Sequence, residues 1–162
     1  MLGHRRIGLL AVDTDWTSDA GRIEGYRSAH ELAGLAVDER LIVRVPVKAP
    51  DAEERIERLF AYESPTAIFA ANNLLAEQAW RVLRKRRLRL PEHFSLVGFD
   101  DVSWMEMVDP GITVIAQPTV EMGRCAARLL LERIADGAAP PRVECLQPSL
   151  IVRSSTAEPP SS

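Results

Sequence analysis

The stretch 94–101, Phe-Ser-Leu-Val-Gly-Phe-Asp-Asp, constrains the fold of this chain more than any other. A short apolar run of strand formers ends abruptly in two adjacent carboxylates. Continuous apolar strands belong to parallel sheets buried on both faces, and ligands bind outside the carboxyl ends of such strands. Successive side chains on a strand point to opposite faces, so Asp100 and Asp101 are expected to do different work. Gly98 suits a place where another backbone or a ligand comes close.

The segments before this strand repeat its pattern. Residues 7–12 form an apolar run stopped by Asp13, and a helix to about Ala33 follows, with Thr17, Ser18 or Asp19 as its cap. Residues 41–47 read as a second strand, and Pro50-Asp51 opens another helix. Residues 67–71 read as a third strand ending at Asn72-Asn73, with a helix from about Leu74 to Arg87. Strands alternating with helices of this length predict βαβ units and a parallel sheet. Right-handed crossovers then place Asp13, Val47, Asn72 and Asp100 along one sheet edge. After Asp101 the pattern is irregular until a β-branched stretch at 112–116. An amphipathic helix at 120–134 follows, offering Met122, Cys125, Ala126, Leu129, Leu130 and Ile134 for burial, and a last strand falls at 150–152.

With 162 residues the chain can bury one real core. Its net charge of −3 gives no bulk electrostatic reason for nucleic-acid binding by these residues. Cys125 and Cys145 lack the close spacing of a zinc site and are too few for a disulfide scaffold, so they read as reduced thiols of a cytoplasmic protein. No signal peptide is evident, and no apolar run reaches the ~20 residues that span a bilayer.

Signatures of enzymes are missing: no glycine-rich nucleotide loop, no HExxH and no GxSxG elbow. Asp100-Asp101 could hold a metal in the manner of a receiver domain, but Asn72 and Asn73 stand after the third strand, where a partner carboxylate would be needed. The basic run at 84–87 points all round its helix and reads as a solvated helix end. His4, His30 and His93 are scattered and read as surface or helix-face residues. Trp16 and Trp104 follow strands in loops, where an indole either fills the edge of the core or walls a ligand. Arg22 is a planar donor fork, Asp100 a bidentate acceptor, and Asn72 and Gln117 carry both donors and acceptors. That set suits a neutral, hydroxyl-rich or heterocyclic ligand, and binding better than catalysis.

Several stretches together resemble the LacI/GalR transcriptional regulators. They are Gly3-His-Arg-Arg-Ile, Arg22-Ile-Glu-Gly-Tyr, Pro65-Thr-Ala-Ile-Phe-Ala-Ala-Asn-Asn, Leu90-Pro-Glu-His-Phe-Ser-Leu-Val-Gly-Phe-Asp-Asp, Gln117-Pro and Pro148-Ser-Leu-Ile-Val-Arg-Ser-Ser-Thr. They stand in the family's order and cover nearly the whole chain. The resemblance implies an α/β fold: a parallel sheet flanked by helices, the Rossmann-like subdomain of a type I periplasmic-binding-protein-like domain. It implies that 1–116 and 143–156 form the C-terminal effector-binding subdomain. Residues 117–142 are then the returning helix of an N-terminal subdomain otherwise missing, and 157–162 a disordered tail.

The same resemblance implies a non-enzymatic sensor of a small-molecule effector, carbohydrate or nucleobase-like, and a cytoplasmic homodimer whose interface includes the helix after Asn72. It implies no cofactor, no metal and no membrane, and DNA contact only through a helix-turn-helix domain that this chain lacks. Arg22, Asn72, Asp100 and Gln117 match effector-contacting positions, and Trp16 and Ser18 fall on a loop that varies with the effector. The aromatic often found near Pro46 or Val47 is absent, Asn73 replaces an Asp, and Gly111 replaces a common Pro. The alternative function is a truncated homologue that serves only as an oligomerisation or interaction module.

Overall fold

A computed structural model describes residues 2–14, 17–46, 51–137 and 140–160. The expected strand end at Val47 and the helix opening at Pro50 lie outside the described residues. The elements alternate as read: β1 (Ile7–Asp13), α1 (Thr17–Leu32), β2 (Ile42–Pro46), α2 (Ala52–Arg58), β3 (Ala67–Ala70), α3 (Asn73–Lys85) and β4 (Ser95–Phe99). They continue with α4 (Ser103–Met107), β5 (Thr113–Ala116), α5 (Thr119–Ala135) and β6 (Ser149–Ile151). One sheet holds all six strands in the order β2-β1-β3-β4-β5-β6. Its first five are parallel, and β6 closes antiparallel on β5, with Ile115 opposite Leu150.

The two faces of the sheet are covered unequally. Leu10, Ile68, Ala70, Leu96 and Val114 point to the face under α2 and α3. There they pack against Ile56, Leu59, Phe60, Leu75, Ala76, Ala79 and Leu83. This is the main core. Truncating a fully buried member such as Leu96 to Ala costs about 2–5 kcal/mol, through lost burial and the cavity left behind. Leu9, Ala11 and Ala71 point the other way and cluster with Ile23 and Tyr26 of α1, with Ile7, Val37, Ile42 and Phe69 packed beside them. On that face Phe69, Val97, Phe99 and Ile115 are half-buried, because α1 reaches no further across the sheet.

Local signals explain the element ends. Gly34 adopts φ +65 and lets Leu35 donate to the His30 carbonyl, which closes α1. α2 runs on into a π turn, residues 59–63, that Ser64 ends at φ 44. Asp51 stands before α2 as expected, but its carboxylate accepts from the Arg55 guanidinium rather than from a backbone amide. The irregular stretch after Asp101 holds the short helix α4, whose Met105 is fully buried.

Gly98 has a packing role rather than a ligand role. A Cβ there would meet Met105 Cε at 3.1 Å, Val114 Cγ1 at 3.4 Å and Ala76 Cβ at 3.5 Å, all within the core. Trp104 likewise packs against the main core and lies 6.2 Å from the Trp80 ring, so it belongs to the edge of the core.

Candidate functional site

Four of the predicted site residues, Arg22, Asn72, Asp100 and Gln117, fall in a strip along the carboxyl edge of the sheet, in separate local contacts. Asn72 precedes α3 in extended backbone, and its Oδ1 accepts from the Leu75 amide at 2.8 Å. This is an N-cap, and it satisfies one of the helix's orphan donors. The Asn72 side-chain amide nitrogen makes no hydrogen bond among the described residues. Beside it, Arg22 Nη1 donates to the Ala71 carbonyl at 2.8 Å. The Arg22 guanidinium lies 3.9 Å over the Phe99 ring, a cation–π contact. Phe99 leads into Asp100, whose Oδ1 accepts from Gln117 Nε2 at 2.5 Å. Arg22 and Phe99 thus meet across α1 and β4, while Asp100 and Gln117 join the residues that follow β4 and β5.

Backbone strain marks the centre of this strip. Asp100 has φ +70, while its amide donates to the Ile115 carbonyl at 2.9 Å. Non-glycine residues seldom adopt this conformation; Asp and Asn tolerate it best, and such outliers gather at ligand sites. Asp101 has different partners, although both aspartates lie beyond the end of β4 and the left-handed backbone of Asp100, not strand alternation, separates them. Both of its oxygens accept from Arg153, at 2.9 Å each, and Arg153 also donates to the Ile112 carbonyl. The Asp101 carboxylate raises the Arg153 pKa above its ordinary value. Asp101 thus ties the chain after β6 to the end of β4 and takes no part in the strip.

Two features of the site escape sequence reading. Asp19 is buried, accepts from the Thr14 hydroxyl at 2.8 Å, and lies 3.7 Å from Arg22. It stands three residues before Arg22 on α1, an i,i+3 spacing visible in the sequence, where Asp19 reads as a possible cap. Phe99 is the other; it reads as one more apolar strand residue, and only its place under Arg22 distinguishes it. Ser18 sits exposed in the first turn of α1 and is not joined to the strip. Trp16 lies outside the described residues.

The remaining candidates have structural partners. His4 holds the chain ends together: Nδ1 pairs with the Thr66 hydroxyl, and Nε2 with the Ser95 hydroxyl and the Ala157 carbonyl. His30 is buried rather than at the surface, and bonds the Tyr26 carbonyl. His93 accepts from the Arg89 amide. In the basic run, Lys85 pairs with Glu53, and Arg84 and Arg86 lie over the rings of Trp80 and Phe60. Among the described residues no group of three or more His, Cys, Asp or Glu side chains could hold a metal. No helix among them is long and apolar enough to cross a membrane.

Five parallel strands in this order, with polar groups gathered at their carboxyl ends, define a Rossmann-like α/β domain. The family can be stated more closely: this chain belongs to the periplasmic binding protein-like domain family, which it matches over residues 1–156. The transcriptional regulator DegA of Bacillus subtilis is 36% identical over 155 residues, 96% of this chain and 46% of DegA. Among solved structures, the transcriptional regulator CelR in complex with cellobiose superposes with a TM-score of 0.86 at 36% identity, covering 94% of this chain and 47% of CelR. A LacI family regulator from Enterococcus faecium with bound ribose gives 0.82 at 30% identity, covering 96% and 58%. The relatives are thus transcriptional regulators of the LacI family, as the sequence motifs imply. The chain spans about half the length of the curated relatives it matches.

Proposed function

We propose that the chain is an effector-sensing part of a LacI/GalR-type transcriptional regulator, with Arg22, Asn72, Asp100 and Gln117 as its half of a ligand cleft. The observation that carries this reading is the strip itself. At the carboxyl edge Arg22 lies over Phe99 and bonds the Ala71 carbonyl, Asn72 stands beside that carbonyl in sequence, and Gln117 bonds Asp100, which is held at positive φ. A carboxylate flanked by amides can accept and donate to adjacent hydroxyls, and the Phe99–Arg22 pair offers a flat surface beside them. Cellobiose and ribose in the related structures fit that chemistry, so a sugar is the effector class. Ser18, in the first turn of α1, and Trp16, two residues before it in sequence, contribute to the choice among sugars.

In this reading, residues 1–116 and 143–156 form one effector-binding subdomain and 117–142 cross to a second. Closure of the two on the effector shifts a bound dimer between states by differential affinity. The protein is then a cytoplasmic, non-enzymatic homodimer joined through the outer face of α3. It reaches DNA only through a domain outside these residues.

The test is thermal unfolding of the purified chain with a panel of pentoses, hexoses and disaccharides, cellobiose and ribose included. A native-state ligand at a hundredfold excess over its Kd stabilises by about 2.7 kcal/mol and raises the midpoint. Asp100→Asn keeps a residue that tolerates positive φ while removing the charge, so it should abolish the shift without unfolding the chain. If no sugar shifts the midpoint, or if Asp100→Asn responds like the wild type, the assignment fails.

A further inference from the structure

An arginine at a ligand edge ordinarily selects an anion, because its planar fork matches the oxygens of a carboxylate or phosphate two at a time. Arg22 is held differently. Nη1 donates to the Ala71 carbonyl at 2.8 Å, Cζ lies 3.9 Å over the centre of the Phe99 ring, and Asp19 Oδ1 stands 3.7 Å from Nη1. The Arg22 side chain is 19% exposed and that of Asp19 only 4%.

Asp19 is the unusual member of this group. A carboxylate shut away from water needs matched partners. Among the described residues it has two: the Thr14 hydroxyl, which donates to Oδ2 at 2.8 Å, and the Arg22 guanidinium. Its place in the first turn of α1 adds the positive end of the helix dipole. A first-turn acid needs neither burial nor an arginine, however, and a neutral Asn would accept from Thr14 as well. What the charge of Asp19 adds is compensation of Arg22. At 3.7 Å the contact is longer than a direct hydrogen bond, so Asp19 offsets the charge without taking up the donors. Nε and Nη2 of Arg22 make no hydrogen bond among the described residues. Asp100, the other carboxylate of the strip, has only the neutral Gln117 amide as its side-chain partner. Arg22, Asp19 and Asp100 together leave the site net negative. A hydroxyl can still accept from Arg22 and donate to Asp100, whereas a phosphate or carboxylate in the same place is repelled.

We propose that Asp19 determines specificity: by compensating Arg22 it makes the site accept a neutral sugar and reject the phosphorylated or acidic form of that sugar. The inference rests on the sensing function proposed above and adds which form of sugar is sensed. Asp19 acts through Arg22 and is a positioning residue rather than a ligand contact. Removing one charge a few ångströms from a bound anion changes its affinity by about tenfold or more at the effective dielectric of a protein surface.

The test is thermal unfolding of the purified chain with matched pairs: ribose and ribose 5-phosphate, glucose and glucose 6-phosphate, cellobiose and cellobionate. All are measured at one ionic strength, and each Kd is taken from the dependence of the midpoint on ligand concentration. Asp19→Asn keeps the shape and an acceptor for Thr14 while deleting the charge. Glu24→Gln deletes a charge from an exposed position two residues beyond Arg22 and is the control. The expected result is that the wild type and Glu24→Gln bind a neutral sugar at least about tenfold tighter than its anionic counterpart, and that Asp19→Asn narrows this gap about tenfold. A wild type that prefers the phosphate or the acid overturns the proposal, and that arm needs no variant to fold. So does an Asp19→Asn chain that keeps the wild-type gap, which makes Asp19 structural only, or a Glu24→Gln chain that narrows it equally. Each of these outcomes leaves a ligand response in place and the sensing function standing. If no member of any pair shifts the wild type, the sensing function falls and the proposal falls with it.

Discussion

Ser155 is the smallest side chain on which a large share of the sheet depends. It is fully buried, and its hydroxyl donates to the Leu96 carbonyl at 2.6 Å while accepting from the Thr113 amide at 2.8 Å. Its own carbonyl accepts from the Leu96 amide at 3.0 Å. The β4–β5 ladder begins at Val97 and Thr113, so Ser155 fills the gap just before it, where the two strands part. Replacing it by Ala leaves the Thr113 N–H buried with no acceptor and removes a donor from Leu96. Each buried group left unmatched costs about 1–3 kcal/mol, so Ser155→Ala should lose about 2–4 kcal/mol. For a domain of this size that is a fall in melting midpoint of roughly 6–12 °C. Ser154→Ala, at an exposed neighbouring position, is the control and should stay within ~0.5 kcal/mol. Urea unfolding followed by circular dichroism reads both. If Ser155→Ala lies within 1 kcal/mol of wild type at unchanged m-value, the hydroxyl is not bridging the strands and the reasoning is refuted.

Burial first, and then the charges of Asp38 and Glu39, push the Tyr26 phenol up from 10.0 to about 12. Its hydroxyl donates to the Ile7 carbonyl at 2.7 Å. Because the folded pKa is raised, this contribution is whole below the ordinary value and is lost as pH rises through about 12. In a Tyr62→Phe chain, which leaves Tyr26 alone, ultraviolet titration should place the phenol near 12 when folded and near 10 in urea; equal midpoints would contradict the contact. Asp101→Asn weakens a paired, partly buried charge contact and should cost about 1–3 kcal/mol, whereas Asp100→Asn should stay within ~1 kcal/mol, both read by urea unfolding. A larger loss at Asp100 than at Asp101 would reverse the roles assigned to them.

The order and direction of the first four strands were legible because each is a short apolar run ended by a polar residue, and helical spacing lies between them. That pattern does not depend on distant contacts. What escaped was whatever depends on which residue a side chain meets across the sheet. Gly98 carries no sign that Met105, from a five-residue helix with no periodicity of its own, will fill the space above it. Asp19 looked like any capping residue, because its burial under Thr14 and beside Arg22 is settled by the loop from β1. The amphipathic reading of α5 offered six residues for burial, but only Cys125 is buried, and Met122, Leu130 and Ile134 are exposed. Their split into a side facing the 144–148 return and a side facing solvent is fixed by Glu144, nineteen residues beyond Cys125 in sequence.

The two adjacent carboxylates show how far alternation alone carries the argument. Period-two geometry led to the expectation that Asp100 and Asp101 diverge, but β4 ends at Phe99 and Asp100 turns to φ +70, so their separation comes from the turn after the strand. Which partner each one takes is set by distant residues. Arg153, after β6, reaches Asp101 with both terminal guanidinium nitrogens, and Gln117, after β5, reaches Asp100. A carboxylate matched twice by a half-buried arginine has its charge compensated inside the fold. The other carboxylate meets one neutral amide, and it is the one that the chain holds at positive φ. Strain at one aspartate and saturation at its neighbour are therefore a single arrangement, in which the returning strand frees Asp100 by occupying Asp101.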